Sequence, residues 1–361
     1  MFDTIAYHVE DLKDYVRRFF RKLEVPEIDA QIAADVLVSA DLRGISSHGV
    51  IRLHTYYGDR LRRHLIDPLS PLKVLNESAA TLALDGGNGL GQAVAYRAMT
   101  RCITKAEEAG LAVTTVRNSN HFGIAGYYAM MALPHDMIGV SLTNSRALVA
   151  PTFGKRGAIG TNPIAVAVPA GEERPYVLDM ATSIAPIGKV AVYQKAGKML
   201  PEGWGVDKDG HITADPGQVI DGGALLPLGG SEEMRGYKGY GLSLMVDLLS
   251  GVLSGAAFGK SVGKPSEKHH ADIGHFFAVI KIENFRPVDL FKKDMDAYIR
   301  ELRATPKLPG QQRIFIHGEK EYELENKYHR EGVPLMTKVV DSLKEAGEDA
   351  GVPFDLEPAG V

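Results

Sequence analysis

The chain has 361 residues, 45% of them hydrophobic and 24% charged, which is enough for a large core organised in two or three domains or subdomains. Its 45 Asp and Glu residues against 41 Lys and Arg residues give a formal net charge of -4, which argues against non-specific nucleic-acid binding. We find neither an apolar run of the roughly 20 residues that a membrane helix needs nor a signal-peptide pattern, and the single cysteine, Cys102, suits a reducing compartment, so we expect a cytoplasmic protein with no membrane partner.

The hydrophobic pattern changes from helical, to mixed helices and strands, and back to helical. Apolar residues that recur about every 3.6 positions predict helices, and short β-branched runs between turn residues predict strands. The predicted elements are helices over residues 9–23, 27–42 and 46–65, a strand over 80–85, a helix over 92–109, a strand over 112–117, a helix over 126–133, strands over 137–144, 164–169 and 176–180, a helix over 237–253, and helical segments over 291–302, 322–328 and 333–346.

The helical segments at the two ends are expected to pack together around the α/β part. This predicts a discontinuous helical domain made of residues 1–72 and 288–361, and an α/β domain over 73–287 with a small inserted subdomain. The helix over 237–253 is rich in Leu, Met and small residues, so we expect it to be mostly buried.

His121 is the first candidate for a functional residue. It follows a predicted buried strand and precedes a small-residue helix, and α/β proteins usually bind ligands at such junctions. An unperturbed pKa near 6.5 suits histidine to move a proton at neutral pH. His48, Arg52 and Tyr56 are spaced by four, so they would share one face of a helix, where they could recognise a carboxylate. A structural His and a solvated polar face are the alternatives.

Two glycine-rich segments only superficially resemble nucleotide-binding motifs. Residues 87–91 (GNGLG) lie between a strand and a helix, but their spacing is not G-x-G-x-x-G and the next strand does not end in an acid, so we predict a tight turn and no Rossmann domain. Residues 255–261 (GAAFGKS) are one residue too short for a P-loop. We find no serine-hydrolase elbow and no metal-ligand spacing, and we expect His269 and His270 to be solvated.

Five motifs taken together resemble one family. In chain order they are SSHGVIRL (46–53), NSNHFG (118–123), GTNP (160–163), DMATS (179–183) and KGYGL (238–242). They are similar to the malate/L-lactate dehydrogenases that lack a Rossmann fold, a family that includes sulfolactate and ureidoglycolate dehydrogenases. The resemblance covers nearly the whole chain. The segments DLRG (41–44) and PEGW (201–204), and His317 in place of a usual Pro, most resemble the archaeal-type malate dehydrogenases.

The resemblance implies an α/β, non-Rossmann, sulfolactate-dehydrogenase-like fold, with a central mixed sheet and a discontinuous helical domain from both termini. It implies interconversion of a 2-hydroxy acid and its 2-oxo acid with NAD or NADP bound in the α/β domain, usually by a homodimer. His121 would be the proton donor and acceptor, and Arg52 would bind the substrate carboxylate beside Ser47, His48 and Tyr56. Family cofactor positions are matched by Ser145, Asp179, Met180, Ala181, Lys238, His317, Gly318 and Glu319, with His48, Gly126 and Tyr127 close to them.

The resemblance leaves the substrate open. Arg146 could supply a second cation opposite Arg52, which suits a substrate with carboxylates at both ends, such as malate. An outward-pointing Arg146, or one paired with a Glu, is the alternative. L-lactate, L-sulfolactate and ureidoglycolate are other candidates, whereas Lys189 argues against the imino-acid reductases, some of which have Asp there. An inactive binding protein on the same scaffold is disfavoured by the presence of His48, Arg52 and His121.

Overall fold

A computed structural model describes residues 3–69, 71–263 and 270–360, so that His269 lies outside the described residues. The strands are β1 Thr4–Tyr7, β2 Lys73–Glu77, β3 Thr81–Asp85, β4 Leu111–Ser119, β5 Met137–Thr143, β6 Ile164–Val168, β7 Tyr176–Met180, β8 Gly205–Val206, β9 Ile212–Thr213, β10 Ala224–Leu225, β11 Ile273–Lys281 and β12 Val333–Met336. The α-helices are α1 Val9–Lys22, α2 Glu27–Leu42, α3 Asp59–Arg62, α4 Gly91–Ala109, α5 Ala125–Met130, α6 Ile187–Lys195, α7 Pro216–Ile220, α8 Tyr237–Asp247, α9 Val288–Ala304, α10 Glu319–Glu331 and α11 Thr337–Ala350.

The centre of the fold is a mixed sheet. Among the described residues it has seven strands, in the order β2-β3-β4-β11-β5-β6-β7. Strands β3 and β4 are parallel and joined by α4, whereas every other neighbouring pair is antiparallel. This arrangement confirms the predicted α/β fold class with a central mixed sheet. It also excludes a Rossmann domain, whose sheet is mostly parallel.

Strand β11 is central to the sheet, and the sequence analysis missed it. It lies between β4 and β5, with Phe277 and Val279 fully buried. Its pairing partners are more than 100 residues away in the chain, as the pairs of Phe277 with Thr114 and of Phe276 with Leu142 illustrate. A strand of this kind is fixed by long-range pairing, which a local hydrophobic pattern does not reveal.

The two ends of the chain pack together. Strand β1 pairs antiparallel with β12, and the helices α1, α2 and α11 share one hydrophobic core, with buried residues that include Leu12, Phe19, Leu37 and Leu343. Helix α9 is attached to the sheet side instead, because the Asp296 carboxylate accepts hydrogen bonds from the backbone N–H groups of residues 171–173. The division into residues 1–72 with 288–361 and residues 73–287 remains a prediction.

The predicted regular helix over residues 46–65 is wrong. The segment consists of two 3-10 turns, Ser46–His48 and Val50–Arg52, then a π-helix over Leu53–Gly58, then α3. The cause is Gly49, because a side chain there would overlap the buried Asp41 carboxylate, which accepts the Val50 N–H at 2.8 Å. The backbone at Gly49 therefore packs directly against Asp41 and departs from the α-helical conformation.

Three further predictions need correction. The helix predicted over 126–133 ends at Met130, and the helical segment over 333–346 begins with the strand β12. The helix over 237–253 is α-helical only to Asp247 and continues as a π-helix over Leu248–Val252. It is not mostly buried, because one face exposes 37–51% of each of several apolar residues, namely Leu242, Leu244, Met245, Leu248 and Val252.

The tight turn predicted over residues 87–91 is confirmed. Residues 87–91 form a tight turn between β3 and α4, with Gly87 and Asn88 at positive φ. Cys102 is fully buried, and burial raises the pKa of its thiol to about 11. Within the described ranges, no helix is long and apolar enough to cross a membrane, and no cluster of three His, Cys, Asp or Glu side chains is placed to hold a metal ion.

Candidate active site

His121 lies in the loop between the end of β4 and the start of α5, as the sequence predicted. The loop is held from both sides. A side chain at Gly91 would overlap the backbone oxygens of Asn120 and His121, and Gly123, at φ +86°, lies against Val36 of α2. The position of the His121 ring is therefore set by backbone packing between α2, α4 and β4.

The structure brings the predicted polar residues together around His121, although by turns and not by a regular helix. The His48 ring stacks on the His121 ring, with centroids 5.5 Å apart and planes 19° apart. The centroid of the Tyr56 ring lies 5.3 Å from the centroid of the His121 ring. The Nδ1 of His48 is 2.8 Å from the Ser47 hydroxyl, and the Arg52 Nε donates to the Ser47 carbonyl at 2.8 Å. These contacts place all four residues in one cluster.

Both stacked histidines are held in the neutral form. Burial, followed by electrostatic interactions with His48, Arg52 and His275, lowers the pKa of His121 well below its usual range. Burial, followed by the charge of Arg52, lowers the pKa of His48 to about 4. At neutral pH His121 is thus ready to accept a proton, whereas a negative charge placed beside it would stabilise its protonated form.

Several cations converge on Tyr56. Burial raises the pKa of its hydroxyl, and the charges of Arg60, Arg52 and Arg146 act in the opposite direction. Arg60, which the sequence analysis missed, is fully buried with its guanidinium 5.7 Å from the Tyr56 ring centroid. Arg146 is therefore close enough to act electrostatically on the same tyrosine as Arg52. This combination suits an anionic ligand next to His121.

A cavity of about 240 Å³ opens beside α5. Four predicted cofactor residues line it, together with two cations, namely Gly126, Asp179, His317, Gly318, Arg43 and Lys320. Asp179 accepts the Gly126 N–H at 2.8 Å. Burial raises the pKa of Asp179 to about 6, although the side chain keeps some solvent access. The loop that carries His317 is fixed to β7 because the His317 carbonyl accepts the Val177 N–H at 3.0 Å.

The remaining predicted cofactor residues lie outside that lining. The Ser145 hydroxyl accepts the Thr161 N–H at 3.0 Å, and Lys238 is exposed in the first turn of α8. The Glu319 carboxylate is bound by Arg303 and Arg313. Met180 and Ala181 follow Asp179 and are half-buried, and Tyr127 lies near Asp35 and Tyr96. For all of them a contact with the cofactor remains a prediction.

A buried histidine that the sequence analysis missed supports the loop. In β11, His275 is 2.8 Å from both the Thr143 and the Ser119 hydroxyl groups and stacks on Phe122, with ring centroids 4.6 Å apart. Thr143 donates to the Gly274 carbonyl at 3.0 Å, so His275 carries its proton on Nδ1 and accepts from Ser119 at Nε2. This network joins three strands under the loop. Because it depends on the central position of β11, it has no local sequence signal.

The sequence and the fold are similar to those of characterised dehydrogenases. The sequence model of the malate/L-lactate dehydrogenase family matches residues 7–344. The chain is 48% identical to the malate dehydrogenase of Pyrococcus horikoshii over 342 residues, which cover 94% of each protein. It is 39% identical to the L-sulfolactate dehydrogenase of Methanocaldococcus jannaschii over 345 residues, which cover 95% of this chain and 96% of that enzyme. The crystal structure of malate dehydrogenase from Entamoeba histolytica gives a TM-score of 0.93 at 38% identity, covering 98% of this chain and 100% of that one.

His275 should make the stability of the protein fall in acid. Burial lowers its pKa to about 3, below the ordinary value of 6.5. Between these two pH values the unfolded chain binds a proton that the folded chain does not. The contribution of neutral His275 to the free energy of unfolding is therefore complete above pH 6.5 and is lost as the pH falls towards 3. The slope is about 1.4 kcal/mol per pH unit for one proton.

We therefore expect the free energy of unfolding of His275→Gln, measured by denaturant titration from pH 7 to pH 4, to fall less steeply than that of the wild type. The exposed His8→Gln is the matched control, with a wild-type slope. Equal slopes for His275→Gln and the wild type would contradict the assignment.

Proposed function

We propose that this chain, which belongs to the malate/L-lactate dehydrogenase family, interconverts (S)-malate and oxaloacetate with a nicotinamide cofactor. The proposal rests on the position of His121 in a cluster that also contains Arg52 and Tyr56. The charge of Arg146 acts on the same tyrosine, because it lowers the pKa of the Tyr56 hydroxyl against the effect of burial. A proton-transferring group with two cations in its neighbourhood suits a substrate with a carboxylate at each end.

The residues of the site take roles that follow from their chemistry. NAD or NADP, when bound, supplies or accepts the hydride. In the reductive direction negative charge develops on the substrate oxygen, and His121 delivers a proton to it. In the oxidative direction neutral His121 takes the hydroxyl proton, which the low pKa of the ring permits. Arg52 binds the carboxylate next to the reacting carbon, with Ser47 and His48 fixing its position.

We place the cofactor in the cavity beside α5. Its lining combines two carboxylates, Asp179 and Glu321, which can accept hydrogen bonds from ribose hydroxyls, with two cations, Lys320 and Arg43, which can pair with phosphates. Arg43 also pairs with Glu325 at 3.0 Å. Gly126 and Gly318 present backbone without side chains to the same space. These donors and acceptors fit a dinucleotide, and we infer that NAD or NADP binds here. Ser145, Met180, Ala181, Lys238, Glu319, His48 and Tyr127 are proposed to complete the site.

L-Sulfolactate is the second candidate substrate. It carries a carboxylate and a sulfonate, so the same pair of cations would suit it. A relative named L-sulfolactate dehydrogenase is 39% identical to this chain. The distinction is thus between two doubly anionic acids, and singly charged lactate fits the pair of cations less well.

We infer that the protein is a homodimer of the cytoplasm. The apolar face of α8 and the π-helix that follows exposes Leu242, Leu248 and Val252, and monomeric proteins rarely leave such a continuous surface uncovered. A second copy of the chain is the occupant that the family resemblance favours. The cytoplasm is supported by the buried free thiol of Cys102, which suits a reducing compartment.

Replacement of His121 should remove catalysis and leave binding. In His121→Asn we expect kcat to fall about 10²–10⁴-fold, because the general acid and base is lost, while cofactor affinity measured by fluorescence stays near the wild-type value. In the wild type, kcat/KM for malate oxidation should rise with pH through the pKa of His121, and kcat/KM for oxaloacetate reduction should fall. Both limbs should lie below pH 6.5, since the pKa of His121 is lowered.

The control is His54→Asn, because His54 lies in the same segment but binds Asp349 at the surface. It should turn over at the wild-type rate. Retention of more than about half of the wild-type kcat by His121→Asn, or parallel limbs in the two profiles, would assign proton transfer to another group.

Replacement of Arg146 should change specificity. Loss of a charge-assisted pair in a partly dry site is worth about 1.5–3 kcal/mol, so Arg146→Ala should lower kcat/KM for oxaloacetate about 10–150-fold and have little effect on pyruvate. Arg52→Ala should impair both acids, because both carry the carboxylate that it binds. Arg156→Ala, in an exposed loop nearby, is the control and should leave both values unchanged. An equal loss for the two acids in Arg146→Ala would exclude it from substrate selection.

The proposed dimer has a direct test. Light scattering of the wild type should give twice the mass of the chain, and Leu248→Lys should shift the mass towards that of one chain, because it places a charge in the apolar face. Leu308→Lys, on an exposed loop residue outside that face, should remain dimeric. A monomeric wild type would refute the dimer, and a fully dimeric Leu248→Lys would place the interface elsewhere.

A further inference from the structure

The His121 ring is held at its Nδ1 by a tyrosine with no role in the reaction as described above. The Tyr57 hydroxyl lies 2.6 Å from Nδ1, and the Gly123 N–H donates to the same nitrogen at 3.3 Å. Tyr57 is fully buried, and burial raises the pKa of its hydroxyl well above 10, so it keeps its proton at neutral pH. Two donors at Nδ1 leave the proton of the neutral ring on Nε2.

The oxidative reaction needs the other tautomer. Neutral His121 can accept the substrate hydroxyl proton at Nε2 only if Nδ1 carries the hydrogen of the ring. In that state Nδ1 no longer accepts from the Gly123 N–H, and Tyr57 can no longer donate to Nδ1 and must accept from it. The hydrogen of the Tyr57 hydroxyl then needs a different acceptor, and the His121 carbonyl, 3.5 Å from the Tyr57 oxygen, is at the limit of hydrogen bonding.

Gln92 is the residue that can provide it. It lies in the first turn of α4 and is fully buried, and its side chain lowers the pKa of the Tyr57 hydroxyl as a hydrogen-bonding neighbour, against the larger effect of burial. Even so, neither its Nε2 nor its Oε1 makes a hydrogen bond of standard geometry in the part of the chain that the structure describes. A buried amide without partners costs stability, so its presence calls for a functional or solvent partner. An amide offers both a donor and an acceptor.

We propose that Tyr57 and Gln92 are a pair of positioning residues that supports His121 in both of its tautomers, a proposal that rests on the proposed function. When Nδ1 accepts, Tyr57 donates to it and the Gln92 Nε2 donates to the Tyr57 oxygen. When Nδ1 carries the hydrogen, Tyr57 accepts from it and donates to the Gln92 Oε1. In the second state the substrate hydroxyl proton passes to Nε2, and the resulting imidazolium keeps its Nδ1–H bond to Tyr57.

Tyr57→Phe keeps the ring and removes the hydroxyl. We expect kcat for malate oxidation to fall about 10–100-fold, with KM for malate changed less than about twofold. The pH limb of the oxidation profile should move to lower pH, because the imidazolium loses the acceptor at Nδ1. Tyr15→Phe is the matched control. It removes the hydroxyl of another fully buried tyrosine, which donates to the Leu343 carbonyl, and should affect only stability.

Gln92→Met separates this role from a merely structural one. Replacing an unpaired buried amide by an apolar side chain of similar size should leave the unfolding temperature unchanged or raise it. The proposal nevertheless predicts that kcat falls about 3–30-fold in this variant, since Tyr57 loses its second partner. A Gln92→Met enzyme with wild-type kcat, or a Tyr57→Phe enzyme with wild-type kcat and pH limb, would overturn the proposal.

A measurement without substrate keeps this test separate from the proposed function. The ¹⁵N shifts of the imidazole of His121, assigned with His121→Asn, report where the ring carries its hydrogen. We expect the Nε2–H form in the wild type and a mixture of tautomers in Tyr57→Phe. If no 2-hydroxy acid is oxidised, the proposed function fails while this result still stands. If turnover is present but the tautomer is the same in both proteins, only the positioning role fails.

Discussion

The site depends on one close backbone contact, between the start of α4 and the loop that carries His121. At Gly91 there is no room for a side chain, because it would overlap the backbone oxygens of Asn120 and His121. The Asn120 amide reinforces the contact by donating to the carbonyls of Asn88 and Gly89. The glycine-rich turn that superficially resembles a dinucleotide fingerprint thus has a different task here. It packs against the loop that carries His121, and we propose no phosphate contact for it.

Because of this contact, His121 lies where the two main cores meet. Tyr56 and Tyr57 belong to the core formed by the two ends of the chain, whereas Phe122 belongs to the core of the sheet. The low polarity on both sides lowers the pKa of His121 and strengthens the effect of each nearby charge. An anionic substrate would then change the protonation of the ring upon binding, which couples substrate recognition to proton transfer.

Local patterns in the sequence predicted much of this, and their failures have one physical cause. The bounds of α2, the position of His121 after β4 and the mixed fold were predicted because periodicity and motifs are local. Strand β11, with His275, was missed because its place is set by pairing with β4 and β5. Tyr57 was missed because a regular helix would put only Tyr56 beside His48, whereas the π-helix brings both tyrosines to His121, with ring centroids at 5.3 and 5.9 Å. The exposed face of α8 was missed because its apolar composition is also that of a buried helix.

In the proposed reaction the nicotinamide cofactor reduces a doubly anionic 2-oxo acid, His121 supplies the proton, and Arg52 and Arg146 bind the two anionic groups. The steady-state rate of the wild-type enzyme, followed by the absorbance of NADH and of NADPH, tests this assignment with oxaloacetate and pyruvate as alternative substrates. We expect kcat/KM for oxaloacetate to be about 10–150-fold above that for pyruvate with whichever cofactor is used. Equal values for the two acids, a preference for pyruvate, or no oxidation of either cofactor would contradict it.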